Sequence, residues 1–177
     1  NMKQQIFNQL LLKTAFSCMA CDGKIDKREV KLLKKMSDEK QEFGDIDINA
    51  QLDNLLLSIN KDGHQFLKDY FSELISIELS EDEELKIVEI AIDTIKADKE
   101  VVYSEVKFFK LIRSKLTITD KKLLKQHPDF EEYLEQDIIS DSYLKRLHND
   151  YFDTNILPKF EAINLLDLDV VEKQDPI

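Results

Sequence analysis

Leu11-Leu12-Lys13-Thr14-Ala15, followed after five intervening residues by Cys21-Asp22-Gly23-Lys24-Ile25-Asp26-Lys27-Arg28-Glu29-Val30-Lys31, has a second version in the same chain. Seventy-six residues on stand Ile87-Val88-Glu89-Ile90-Ala91 and Ala97-Asp98-Lys99-Glu100-Val101-Val102-Tyr103-Ser104-Glu105-Val106-Lys107. Ala15 matches Ala91, Asp22 matches Asp98, Ile25 matches Val101, and Glu29-Val30-Lys31 matches Glu105-Val106-Lys107, with Lys34 over Lys110. Each version reads as a helix, a short loop and a second helix. A helical hairpin leaves an apolar face that it cannot cover alone, and two copies related by a pseudo-twofold axis cover each other's.

Outward from the repeat, the pattern stays helical. In the first helix, over 4–21, Phe7, Leu11, Ala15 and Cys18 share one face, with Leu10 and Thr14 beside them. Asp26, with Glu29 three residues on, has the spacing of a capping box and starts a second helix that runs to about residue 40, Leu33 and Met36 inward. Leu52, Leu55, Leu56 and Ile59 mark a third helix over 47–60, Asp62-Gly63 a turn, and Phe66 to Ile75 a strongly apolar fourth that ends near Leu79. Ser80-Glu81-Asp82-Glu83 is an N-cap serine with acids in the first turn, where the helix dipole favours them. It opens a fifth helix striped by Leu85, Val88, Ile92 and Ile95. Val106, Phe109, Ile112 and Leu116 stripe a sixth, and Thr119-Asp120 caps a short seventh that ends at His127-Pro128. Residues 129–138 form one further helix in this reading, and Tyr143, Leu144, Leu147, Tyr151 and Phe152 a short amphipathic one. The expected class is all-α: about seven helices at 2–127, followed by an acidic C-terminal extension, 128–177, that is partly helical.

Composition agrees. The 177 residues include 3 Gly and 3 Pro, too few for a turn-rich sandwich or barrel. No apolar run approaches the roughly 20 residues that span a bilayer, and no charged start leads into an apolar core and a cleavage site. Asn1 ahead of Met2 reads as a residue left by tag removal. Two cysteines make no disulfide framework, so a reducing cytoplasm is the expected compartment. The formal charge is −11, and residues 129–177 carry most of it, with 13 acidic against 4 basic side chains. Such a chain is a poor generic partner for nucleic acid, whose phosphates need cationic side chains.

Ala20-Cys21-Asp22-Gly23-Lys24-Ile25-Asp26-Lys27-Arg28-Glu29 resembles the Ala-Asp-Gly-x-Ile-(Asp/Ser)-x-x-Glu signature of TerB-like, tellurite-resistance-type domains. The family includes the membrane-proximal domain of a bacterial J-domain co-chaperone. The resemblance covers roughly residues 5–126 and implies an all-helical fold of about seven helices. The second copy departs from the signature, with Lys99 in place of the glycine and Val102 in place of the capping Asp/Ser.

The candidate site is a set of acids on apolar faces. The stripe of the first helix leads through Cys18 to Asp22, and that of the second starts at Glu29. Ala91 and Ile95 lead to Asp98, and Glu105 leads to Phe109, Ile112 and Leu116. Buried carboxylates are costly unless compensated. Local capping by loop and helix-start N–H groups is the commoner arrangement. Alternatively, pseudo-symmetry gathers Asp22, Glu29, Asp98 and Glu105 around a cation, where oxygen ligation suits Ca²⁺, Mg²⁺ or Mn²⁺ rather than Zn²⁺. A buried salt bridge is the third option. The resemblance also implies a metal role at these positions. Asp22-Gly23-Lys24-Ile25-Asp26 lacks the alternating acids and distal Glu of an EF-hand loop.

Other features point to less. Cys18-Met19-Ala20-Cys21 has CxxC spacing, but it falls at a helix end, where the dipole disfavours a thiolate, so both cysteines read as core residues. His127 reads as a C-terminal cap. The basic row Lys24, Lys27, Arg28, Lys31, Lys34 and Lys35 reads as a solvated helix face. It is also a place for phosphate, for a membrane surface, or for the chain's own acidic extension to dock. The expected function is a non-catalytic interaction or scaffold module with a protein partner, cation-binding at the four acids, and linked by the resemblance to tellurite or envelope stress. The alternative is a metal-dependent hydrolase on the same acids, which would need an open cleft and a general base.

Overall fold

A computed structural model of the chain describes residues 2–21, 25, 27–97 and 103–134, the side chains of 103 and 104 excepted. The described residues form α1 (Met2–Ala20), α2 (Lys27–Lys40), α3 (Ile48–Lys61), α4 (Gly63–Ser76), α5 (Glu81–Ala97), α6 (Tyr103–Ser114), α7 (Asp120–Gln126), a 3-10 turn (Pro128–Phe130) and α8 (Glu131–Leu134). They include no strand, and the class is all-α. No described helix is long and apolar enough to cross a membrane. The expected amphipathic segment at 143–152 lies outside the described residues.

The first helix departs most from its sequence reading. One apolar face is expected, yet Leu10, Leu11, Leu12 and every residue from Thr14 to Ala20 are buried. A helix covered on all sides is the central strut of a bundle. Its principal neighbour is α5, and α2, α4 and α6 pack against it as well. Two hydroxyls inside this core are satisfied by back-bonding to the preceding turn. Thr14 Oγ1 lies 2.8 Å from the Leu10 carbonyl and 2.8 Å from the Tyr70 hydroxyl, and Thr94 Oγ1 donates to the Ile90 carbonyl at 2.7 Å.

The repeat segments occupy corresponding elements. α2 begins at Lys27 and α6 at Tyr103, 76 residues apart, and each follows the long helix of its own half. α1 touches α6, and α5 touches α2.

The intervening elements are joined tightly. Asp62 ends α3 and starts α4 at once. Its N–H donates to the Ser58 carbonyl at 3.3 Å, and its carboxylate accepts from the Gln65 N–H at 3.0 Å. The expected turn at Asp62-Gly63 is thus a single non-helical residue, and α4 starts three residues before Phe66. Between α2 and α3 the chain turns through Gln41 and Gly44, both at positive φ, and buries Phe43 completely. A Cβ on Gly44 would meet Asn8 Nδ2 at 2.2 Å, so a side chain there would push the Asn8 amide aside, and the left-handed backbone favours glycine at that position.

The start of α5 is a complete capping box: Ser80 Oγ accepts from the Glu83 N–H at 3.2 Å, and Glu83 Oε1 accepts from the Ser80 N–H at 2.9 Å. At the other end of the bundle, residues 128–134 turn back onto α5 and α6. Phe130 is buried in the core, Tyr133 meets Phe109 edge-on at 6.2 Å, and Lys96 reaches Asp129 at 3.0 Å.

Candidate functional site

Glu29 and Glu105 occupy the same place in their two helices, the third residue of α2 and of α6. That is the position from which a glutamate reaches back to a cap, and the first turn is where the dipole stabilises negative charge. The residues that continue their stripes are core: Leu33 and Met36 below Glu29, and Phe109 and Ile112 below Glu105. Glu105 is 4% exposed, and Glu29 is half-buried. Neither is without a partner.

The charges of both glutamates act on one buried group. The Cys18 thiol, in the last turn of α1 and 2% exposed, is pushed far above its ordinary value. Burial is the largest cause, and the charges of Glu105 and then Glu29 add to it. An acid from each half of the chain therefore bears on the end of the central helix. Asp22 and Asp98, the other two members of the expected set, lie outside the described residues. Among the described residues no group of three or more His, Cys, Asp and Glu side chains is placed to hold a metal ion, so Cys18, Glu29 and Glu105 alone are not a metal centre.

The cysteines behave as core residues. Both are reduced and buried, and the Cys21 thiol donates to the Cys18 carbonyl at 3.1 Å. Tyr70, fully buried beside Thr14, has its hydroxyl held well above the usual phenol range, first by burial and then by the nearby Cys18. His127 ends α7 with its backbone, as expected, but its ring does something else. It stacks on Phe130 with centroids 4.4 Å apart, and Nε2 lies 2.5 Å from Glu89 Oε1 on α5.

One buried carboxylate escaped the sequence reading. Glu84, 5% exposed in the first turn of α5, accepts from the Thr117 N–H at 3.0 Å, the Ile118 N–H at 2.7 Å and the Thr117 hydroxyl at 3.1 Å. Arg113 Nη2 donates to the Ile118 carbonyl and, at 2.8 Å, to Asp120 Oδ1. Together they clamp the loop between α6 and α7. The available signal was position: Glu84 lies one helical turn before Val88 on the buried side, the same logic that singled out Glu105.

A groove between α1, α3 and α4 has a cavity of about 470 Å³ beside Lys13, Leu55 and Glu73, with a second of about 230 Å³ on the other side of the same residues. Lys13 bridges the groove, 2.5 Å from Glu73 Oε1 and 5.1 Å above the Phe66 ring. This ion pair ties α1 to α4. Neither family models, nor curated proteins, nor solved structures give a match to this chain.

Proposed function

We propose that the chain is a non-catalytic, cytoplasmic interaction module of the TerB-like kind, in which two helical hairpins meet at a divalent-cation-responsive junction. The supporting observation is that Glu29 and Glu105, each the third residue of its helix, both push up the buried Cys18 thiol at the end of α1, with Glu105 itself buried. Two like charges brought to one low-dielectric place repel each other, and a shared cation relieves both at once. Asp22 and Asp98 supply the remaining oxygens in this reading, and an all-oxygen set selects Ca²⁺, Mg²⁺ or Mn²⁺. Binding would stiffen the hairpin junction and so the surface offered to a protein partner. The short signature at residues 20–29 is what links that role to tellurite or envelope stress.

The test is thermal melting of the purified protein with Ca²⁺ and with Mn²⁺ after chelator treatment. A ligand at 100 times its Kd stabilises by about 2.7 kcal/mol. For a chain of this size that raises Tm by about 5–10 °C. The Glu29→Gln/Glu105→Gln variant should lose the rise. No shift at millimolar metal, or an equal shift in the variant, would overturn the cation reading.

A further inference from the structure

The basic row on α2 is not absorbed by that reading, and it stands on different residues. α2 lies against α1 and α5, and Lys27, Lys31 and Lys35 are exposed along its outer side. Spaced four residues apart, they form one column in which each ammonium repels the next, an arrangement that destabilises a bare helix. None of the three has an ion-pair partner among the described residues.

A complementary polyanion starts close by. Asp93 on α5 feels Lys40 from the end of α2 and also Lys96, and Lys96 is the residue that holds Asp129. Glu42, just past α2, lies 3.7 Å from Lys86 on the same α5. The end of α2 and the start of the C-terminal segment therefore flank one stretch of α5. Past Leu134 the chain has 43 residues, with 10 acidic and 4 basic side chains. The 14 residues of α2 span about 21 Å, which a fraction of that length covers. Salt-screened attraction acts over about 8 Å, and the length of the tether lets the polyanion come within that range of the column.

We propose that residues 135–177 dock along the Lys27–Lys31–Lys35 column of α2 within the same molecule, an anionic strap that covers the basic face and withholds it from other anionic surfaces. Tethering gives the strap a high effective concentration, so a free polyanion competes poorly unless its own affinity is much greater.

Carbodiimide cross-linking of the full chain at low salt tests it, using a mixture of isotopically light and heavy protein read by mass spectrometry. Expected are cross-links from Lys27, Lys31 and Lys35 to acids of 135–177 within one molecule, lost in 1 M salt, where screening shortens to about 3 Å. A second measurement compares acetylation rates. In the full chain these three lysines should react several-fold more slowly than the exposed Lys61 and Lys121. In a full-length variant with the 10 acids of the segment changed to Asn or Gln, they should react at the same rate as those two. Mixed light–heavy cross-links in place of light–light and heavy–heavy ones, cross-links spread evenly over all lysines, or acetylation rates equal in both proteins would overturn the proposal.

Discussion

Cys18 is where the chemistry of single residues shows most clearly. Its thiol is kept neutral by burial and by two glutamates from different helices. A group whose pKa is higher in the folded chain than in the unfolded one supports folding below the unfolded value, and that support is lost as pH rises. For Cys18 the loss begins near the ordinary thiol value of 9.0, and Tyr70 adds a loss of the same sign from about 10.0 upward. Urea unfolding between pH 8 and 11 should show stability falling from about pH 9, and Cys18→Ala should delay the fall until Tyr70 begins to titrate. An unchanged profile in Cys18→Ala would mean that the thiol does not sense the burial and charges described. The buried place of Glu105 was legible because it sits on the stripe of Phe109 and Ile112. Its pairing with Glu29 is an expectation that comes from the repeat alone, since sequence spacing relates residues on one helix and not on two.

At the level of elements, the helix starts and stops that rest on local chemistry follow the sequence closely. Ser80 and Glu83 form their box, Thr119 caps α7 through the Lys122 N–H, and Asp62 serves two helices. What depends on neighbours was less visible. α1 read as one-faced because periodicity reports the burial contrast around a helix, and α1 has almost none: four other helices cover it. The run Leu10-Leu11-Leu12, with Ala15 and Phe16 beyond it, was the available hint. Glu84 escaped because its partners, the N–H groups of Thr117 and Ile118, lie more than thirty residues away. Hydrogen bonds to a buried charge contribute about 1.5–3 kcal/mol. Glu84→Gln should therefore lower Tm by about 3–12 °C and speed hydrogen exchange of the Thr117 and Ile118 amides. Unchanged exchange at those amides would show that the carboxylate is not what holds the loop.

On the scale of the molecule, α1 and α5 pack together at the centre, α2 touches both of them, and so does α6. The 128–134 segment closes over α5 and α6 through Phe130, Tyr133, Lys96 and His127, contacts that the weak periodicity past Pro128 did not disclose. The central claim is that the halves are electrostatically coupled at the ends of α1, α2 and α6. A double-mutant cycle measures that coupling directly: urea unfolding, in chelator, of the wild type, Glu29→Gln, Glu105→Gln and the double variant. Groups that share one site depart from additivity by about 0.5 kcal/mol or more, and distant ones add within about 0.3–0.5 kcal/mol. The account predicts that removing either charge relieves the other, so the second substitution shifts stability by at least about 0.5 kcal/mol less favourably than it does in the wild type. Strict additivity would place the two glutamates in separate surroundings and contradict it.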